Sequence, residues 1–589
     1  MIRSQQGKCL AVAPDGSEGR VLDAPSNGVD YRDALVCHDG ASHLVLWGTP
    51  RIQDQALTEE ALPALLAKLR EDADSALAEL GGEWALAASL QDQLPLFAID
   101  RLGRVPIYLR QAGGHLFAST DLVALRECAA PAGGNATSPQ GVYAYIYHHM
   151  VPAPFSVDRD TQKLKVGQRL RDIAAPPAWY WQPRFSEPVS FDRSAAQGAL
   201  MKGLRSAVNR SLEGPGKKAA FLSGGLDSST VVGCMAAADS RCEAYSIGFD
   251  AEGYDEMPFA RATARHFGVK LNEYYVTPED VLEALPTLAP AFSEPFGNSS
   301  ALPAYFCARR ATQDGVEVML AGDGGDELFA GNERYTRHGS FDWFTSLPAP
   351  LRGAVQTLVS ALPGSFPLAD KARSFLRQAN TPWPRRLFYY SFLEQTPPDQ
   401  VFTDAFLANV DTQAIQRELQ LTWDRTGQAS TLNQLLALDW QTTLAVNDLR
   451  KVGGACALAG VDVRYPMLDD ELLELSLRIP SQEKLRGKEL RHFYRQTMEG
   501  WLAPETLSKS KQGFGLPFGV WMREYAPLRE FAYDTVQAFS HRGLLRTDFV
   551  RETLEQHRSS HAAYYGELVW ILCTLELWLQ AHHPELNLD

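Results

Sequence analysis

The sequence predicts an α/β chain of more than one domain: a strand-rich first part, a parallel sheet covered by helices, and a largely helical carboxy-terminal part. Three observations carry this reading. At 589 residues, 45 % of them hydrophobic, the chain is too long for one ordinary domain and apolar enough for large cores. Short apolar runs dominate to about residue 175. From about residue 190 helical and strand patterns alternate, as in a parallel sheet whose ligands lie outside the carboxyl ends of its strands.

Taken in order, Val45–Trp47 and Leu96–Ile99 are short apolar runs of strand type, and residues 57–80 carry an amphipathic helix pattern with Leu62, Leu65, Leu66 and Leu69 on one face. The Pro- and aromatic-rich stretch 174–185 predicts a linker crossing a domain surface. The boundaries expected are residues 1–175, a linker at 176–194, and 195–589. Helix 195–212, strand 219–222, helix 229–238, strand 243–249, helix 258–267 and strand 272–276 then follow. Beyond about residue 340 apolar faces recur in 432–444 and 470–477.

Composition excludes several classes. With 56 basic and 71 acidic residues the net charge is −15, which disfavours a nucleic-acid surface. The eight cysteines are scattered without a CxxC pair, which argues against a zinc site and a disulfide framework. No apolar run reaches the length of a membrane span, and the first residues lack the apolar core of a secretory signal. The expected location is the cytoplasm, with no membrane and no nucleic-acid partner.

Ser223-Gly224-Gly225-Leu226-Asp227-Ser228-Ser229 sits between an apolar strand and an apolar helix. Glycines allow close backbone approach to an anion, and a helix amino terminus directs amides and positive dipole at it. Ser223, Ser228 and Ser229 supply hydroxyls, and Asp227 suits Mg²⁺ carried with ATP. No lysine follows the glycines, so the loop is not a Walker A motif. It resembles the loop of ATP pyrophosphatases, which cleave between the α- and β-phosphates. Ser246 and Gly248, in a second strand, would lie beside it where an adenine fits. A third strand, 316–320, leads into Gly322-Asp323-Gly324-Gly325-Asp326-Glu327. In adjacent strands Asp326 would share Mg²⁺ with Asp227, and Asp323 would face the reacting carbonyl.

These motifs resemble the synthetase domain of the asparagine synthetase family. So do residues 253–256, 293–296 with 298–300, 322–335, 464–469 and 511–515, in family order, over roughly residues 190–585. The resemblance implies an ATP-pyrophosphatase (adenine nucleotide α-hydrolase-like) domain. It makes Asp227 and Asp326 the Mg²⁺ ligands and Gly322 and Gly324 part of the nucleotide site. Lys511 would reach the α-phosphate and reacting carbonyl, offsetting charge in the transition state. Asp323, where glutamine-dependent relatives carry Glu, and Glu294 join it as candidate catalytic groups.

Residues 83–125, 151–154 and 163–164 resemble the family's Ntn-type glutaminase domain, an α/β sandwich. Its nucleophile, a cysteine at position 2 whose own amine is the base, is replaced by Ile2, so the domain is expected to be degenerate. Cleavage before Cys9 would expose a cysteine without the glycine that normally follows. Lys451–Ala457 (KVGGACA) departs from the family's bulkier polar segment, which implies a wider or differently shaped acceptor pocket.

The resulting expectation is amide-bond formation through an acyl-adenylate, with ATP and Mg²⁺ as cofactors. The substrate would be a small-molecule or peptide carboxylate with an amine not drawn from glutamine. Relatives lacking the cysteine include β-lactam synthetases and lasso-peptide cyclases, which close rings. Ammonia-dependent asparagine synthesis and a sugar-acid acceptor are alternatives, as are a nucleotide-binding pseudoenzyme and a tRNA thiolase. Oligomeric state and any biosynthetic partner protein are left open.

Overall fold

A computed structural model describes residues 6–26, 28–29, 32–130, 136–251, 253–362, 369–427, 429–509 and 515–586. Twelve short strands come first: β1 (Gln6–Val12), β2 (Gly19–Pro25), β3 (Ala34–Asp39), β4 (Ser42–Ile52), β5 (Gln55–Ala56), β6 (Leu80–Ser89), β7 (Leu96–Ile99), β8 (Tyr108–Ala112), β9 (His115–Ser119), β10 (Thr161–Lys163), β11 (Gln168–Leu170) and β12 (Ala178–Trp179). They form two antiparallel sheets, ordered β10-β8-β9-β1-β2 and β12-β11-β7-β6-β4-β3.

Alternation along the strands sets the layers. Val45, Trp47, Ala85 and Ala87 meet Leu10, Val12 and Leu109 between the sheets. Leu44, Leu46, Leu86 and Ala88 face the other way, onto helices Leu62–Glu71 and Ala73–Glu79. Helices Leu122–Cys128 and Pro139–His148 cover the opposite sheet, completing a four-layer sandwich. The single helix expected over 57–80 is two, because Asp72 caps the second by accepting from the Ser75 amide at 3.1 Å.

The second sheet system is wholly parallel: β13 (Lys217–Phe221), β14 (Glu243–Phe249), β15 (Lys270–Val276), β16 (Val316–Leu320) and β17 (Asp462–Arg464), ordered β15-β14-β13-β16-β17. The chain leaves β13 in one direction and returns to β16 on its other side. The loops after these two strands therefore diverge at a topological switch point, where a crevice opens outside the sheet. Helices Arg193–Ser211, Leu226–Ala238 and Met257–Phe267 cover one face, and Pro278–Ala291, Ala301–Gln313 and Ala562–His582 the other.

The linker stretch contributes edge strand β12, then packs Trp181 and Phe185 on Trp440 with ring centroids 6.4 and 5.6 Å away. The apolar face read over 432–444 falls on helix Thr431–Asp439 and the start of a π-helix, Trp440–Asp448, which leads into helix Leu449–Ala459. The wider π turn lies where two of its residues, Thr443 and Asp448, reach the cleft described below.

A polar joint fixes the sandwich to the parallel-sheet part. Asp100, fully buried, accepts from the amides of Leu102 and Arg104 at 2.9 and 3.0 Å, shaping a tight loop. From that loop Arg104 donates to the Leu468 carbonyl at 2.9 Å, while Arg450 donates to the Gly103 and Arg104 carbonyls at 2.9 and 2.6 Å. Among the described residues no helix is long and apolar enough to cross a membrane.

Candidate active site

The crevice at the switch point is a cleft of about 720 Å³. Ser223, Gly225, Asp227 and Ser228 line it from the loop after β13 and the first turn of helix Leu226–Ala238, and Gly322, Asp323, Gly324 and Asp326 from the loop after β16 and the short helix Gly325–Phe329 that it enters. Ser246 lines it from β14.

Glycine is required at several of these positions because the two loops touch. Gly224 has φ +71°, and a Cβ there would lie 2.4 Å from the Ala260 amide nitrogen. A Cβ on Gly325 would lie 2.0 Å from Asp227 Oδ1, and one on Gly331 would lie 1.7 Å from Asp326 Oδ1. These gaps let the two carboxylates converge. Both accept from one nitrogen, Arg491 Nη2, at 2.6 Å in the case of Asp227; Nη1 also donates to Asp227 at 2.5 Å.

Two oxygen donors meeting at one point, in a cradle that side chains on Gly325 and Gly331 would fill, fit a hard divalent cation that takes its other ligands from phosphate and water. Among the described residues no group of three or more His, Cys, Asp or Glu side chains gathers to hold a metal ion.

Cations line the cleft beside the glycine loop. Lys509 donates to the Ser223 carbonyl at 3.1 Å and pairs with Glu256 at 2.9 Å; Arg491 and Arg495 also line the cleft.

An asparagine synthase family model matches residues 199–580, more than half the chain. The chain belongs to the asparagine synthase family. It is an ATP-dependent carbon–nitrogen ligase. Among relatives, it is 23 % identical over 529 residues to asparagine synthetase [glutamine-hydrolyzing] 1 of Bacillus subtilis (strain 168), covering 88 % of this chain and 81 % of that one. It is 27 % identical over 276 residues to the carboxyethyl-arginine beta-lactam-synthase of Streptomyces clavuligerus, covering 45 % and 51 %.

The ligase's cleft also carries an acidic group. Asp323, Glu327 and Asp448 line it with Lys451, whose Nζ lies 2.8 Å from Asp448 and 3.8 Å from Asp323. Burial pushes the Asp323 carboxyl up to about 6 against the pull of Lys451. Burial, with Asp448 and Asp439 adding repulsion, pushes Glu327 up to about 8. Carboxyls poised near neutrality suit proton transfer.

Four residues named from the sequence stand apart from the cleft. The Ser229 hydroxyl does not face the cleft; it is fully buried and 2.9 Å from Thr263 Oγ1. Gly224 shapes the turn against Met257–Phe267 and is not among the cleft's lining residues. Gly248 likewise stands aside, where a Cβ would strike the Tyr275 ring at 2.6 Å. Glu294 lies in a separate small cavity at the domain junction, ion-paired with Lys163 and accepting from the Val157 amide at 2.9 Å, so it is committed to joining the domains.

Gly454 does not widen the acceptor side either, since the Phe292 ring would lie 2.3 Å from a Cβ there. Lys511 lies outside the described residues.

Sequence reading did not single out Arg491, Arg495 or Lys509, and it gave no individual role to Asp448 or to Lys451, which opens the acceptor-side segment. The last two sit three apart on one helical face, a legible spacing. Arg491 follows the short hairpin β18 (Leu485–Arg486) and β19 (Glu489–Leu490), where no periodicity marks it.

Proposed function

We propose that this ligase activates a carboxylate as an acyl-adenylate, releasing pyrophosphate, and then transfers the acyl group to an amine that does not come from glutamine hydrolysis in this chain. The observation that carries the reading is the polar lining of one cleft. The glycine loop with its cations, the converging Asp227 and Asp326, and the carboxyls of Asp323, Glu327 and Asp448 with Lys451 all line it.

The loop amides after Gly225, with the Ser223 and Ser228 hydroxyls, bind the polyphosphate. Asp227 and Asp326 would hold Mg²⁺, which supplies charge neutralisation and an electrophilic phosphate. Lys511, by family resemblance, balances charge on the α-phosphate. Asp323 takes a proton from the attacking amine, with Lys451 orienting it. Holding both partners in one closed cleft protects the adenylate from water.

The amine reading is supported by the sandwich. Cys9 is fully buried within β1, and hydrogen bonding to Cys128 together with burial holds its thiol well above the usual range. Cleavage before it would also remove Gln6–Lys8, which pair with Pro25–Asp23. The likeness to a β-lactam synthase favours ring closure within one molecule, with plain ammonia as the second reading.

The test is release of AMP and pyrophosphate from MgATP, with pools of carboxylates offered with glutamine, ammonium or no added nitrogen. AMP without added nitrogen, with a product one water lighter than its substrate, is the expected result. AMP formation strictly dependent on glutamine would overturn the amine assignment, and release of ADP would overturn the adenylate.

A further inference from the structure

Arg491 is the group through which the two metal-binding carboxylates are held, and its own setting is unusual. It is buried, its backbone has φ +55°, and its guanidinium packs 5.7 Å from the centre of the Tyr494 ring. Burial opposes its charge, and Asp227 more than restores it, so the side chain stays cationic. An arginine in the left-handed region, aimed at two aspartates in the first turns of helices that follow different strands, is a position the surrounding structure over-determines.

Mg²⁺ bonds oxygen at about 2.0–2.1 Å and demands near-octahedral geometry. The same Asp227 oxygens already lie 2.5 and 2.6 Å from guanidinium nitrogens. A divalent ion on those oxygens would press against a like charge with little water between them. Arginine and metal therefore compete for one acidic pair. Resting on the metal assignment proposed above, we infer that Arg491 is a positioning residue acting as an exchangeable counter-cation. It holds Asp227 and Asp326 together and keeps free divalent metal off them. It surrenders them only when nucleotide arrives, because the phosphates that bring the metal also offer the planar guanidinium fork a second anionic partner.

The arrangement makes an opposite prediction to a purely structural arginine. Loss of a structural residue lowers every affinity at the site, whereas loss of a competing cation raises one. Mn²⁺ binding to the full chain without nucleotide, followed by titration calorimetry and by the electron paramagnetic resonance of free Mn²⁺, should be weak in the wild type. It should be at least tenfold tighter in Arg491→Ala. Mn²⁺ should raise the Tm of that variant and leave the wild type unmoved. Arg491→Gln, which keeps a stem on Tyr494 and removes the charge, should show the same gain, so misfolding of the alanine variant does not end the test.

Equal Mn²⁺ affinities in wild type and a folded variant, or no uptake by any of them, would overturn the inference. The underlying reading fails separately: it falls if wild type yields no AMP with any carboxylate and Asp227→Asn leaves ATP binding unchanged. Normal AMP release with unaltered metal affinity sinks only the role given to Arg491.

Discussion

The interior of the sandwich and the carboxyl edge of the parallel sheet are built oppositely. Between the sheets of the sandwich, Leu10, Val12, Trp47 and Phe97 leave an apolar fill, and the nearby Cys9 is locked in a paired strand. At the carboxyl edge of the parallel sheet the same chain gathers glycines, carboxylates and cations around open space. An apolar fill is stable by itself. A cleft of buried charges costs stability unless a ligand uses it, and such a cost persists where chemistry is done. Under the function proposed above, the contrast teaches that one half carries the reaction while the other shapes and supports it.

The sharpest way to break this comparison is Asp227→Asn, which should lower AMP release by about 10³-fold, several kcal/mol of transition-state stabilisation, measured in single turnovers. Retained activity would move the chemistry elsewhere. Next, Arg104→Ala in the sandwich removes a buried ion pair with Asp100 and the bond to Leu468. It should cost about 3–5 kcal/mol in denaturant unfolding and depress ligase activity with it. A drop in sandwich stability alone, with full activity, would show the halves to be independent.

A smaller effect comes from the cleft's own charges. Between the ordinary Glu value of 4.5 and about 8, folded Glu327 keeps a proton that the unfolded chain has lost. Wild-type stability from this group therefore falls as pH rises through that window. Glu327→Gln escapes the loss, so its stability advantage in denaturant unfolding should grow from pH 5 to pH 8, on the order of 2 kcal/mol at the upper end. A constant difference would mean Glu327 is already ionised. Smallest is Cys9→Ala: about 1 kcal/mol of stability and ligase rates unchanged with every nitrogen source. Loss of glutamine-supported turnover alone would reveal a working nucleophile in the sandwich.

Much of this was legible in the chain. Strands 243–249 and 316–320 lie where their apolar runs place them, and the side-by-side loops after β13 and β16 follow from the alternation of helix and strand. Asp227, Asp323 and Asp326 were marked by glycines that no core segment would carry. What stayed hidden depends on side-chain direction and on distant partners. Ser229 has the same sequence neighbourhood as Ser228, yet one helical step turns it to Thr263. Glu294 lies in a family-like segment, but its partner Lys163 comes from another domain. Arg491 reaches the aspartates across more than 160 residues of chain, which local pattern does not encode.

The joint built on Asp100 and Arg104 bears on how such proteins can be recombined. Leu468, whose carbonyl Arg104 grips, also has its side chain filling the space beside Gly324 in the acidic loop. A cut in the linker would therefore separate backbone but not function, because the sandwich holds one wall of the cleft from outside. Chimaeras that exchange the amino-terminal half between relatives should work only when loop 100–104 travels with its seat, the segment 464–469 and Arg450. For grafting, the natural module is this keyed contact, not the sandwich that carries half of it.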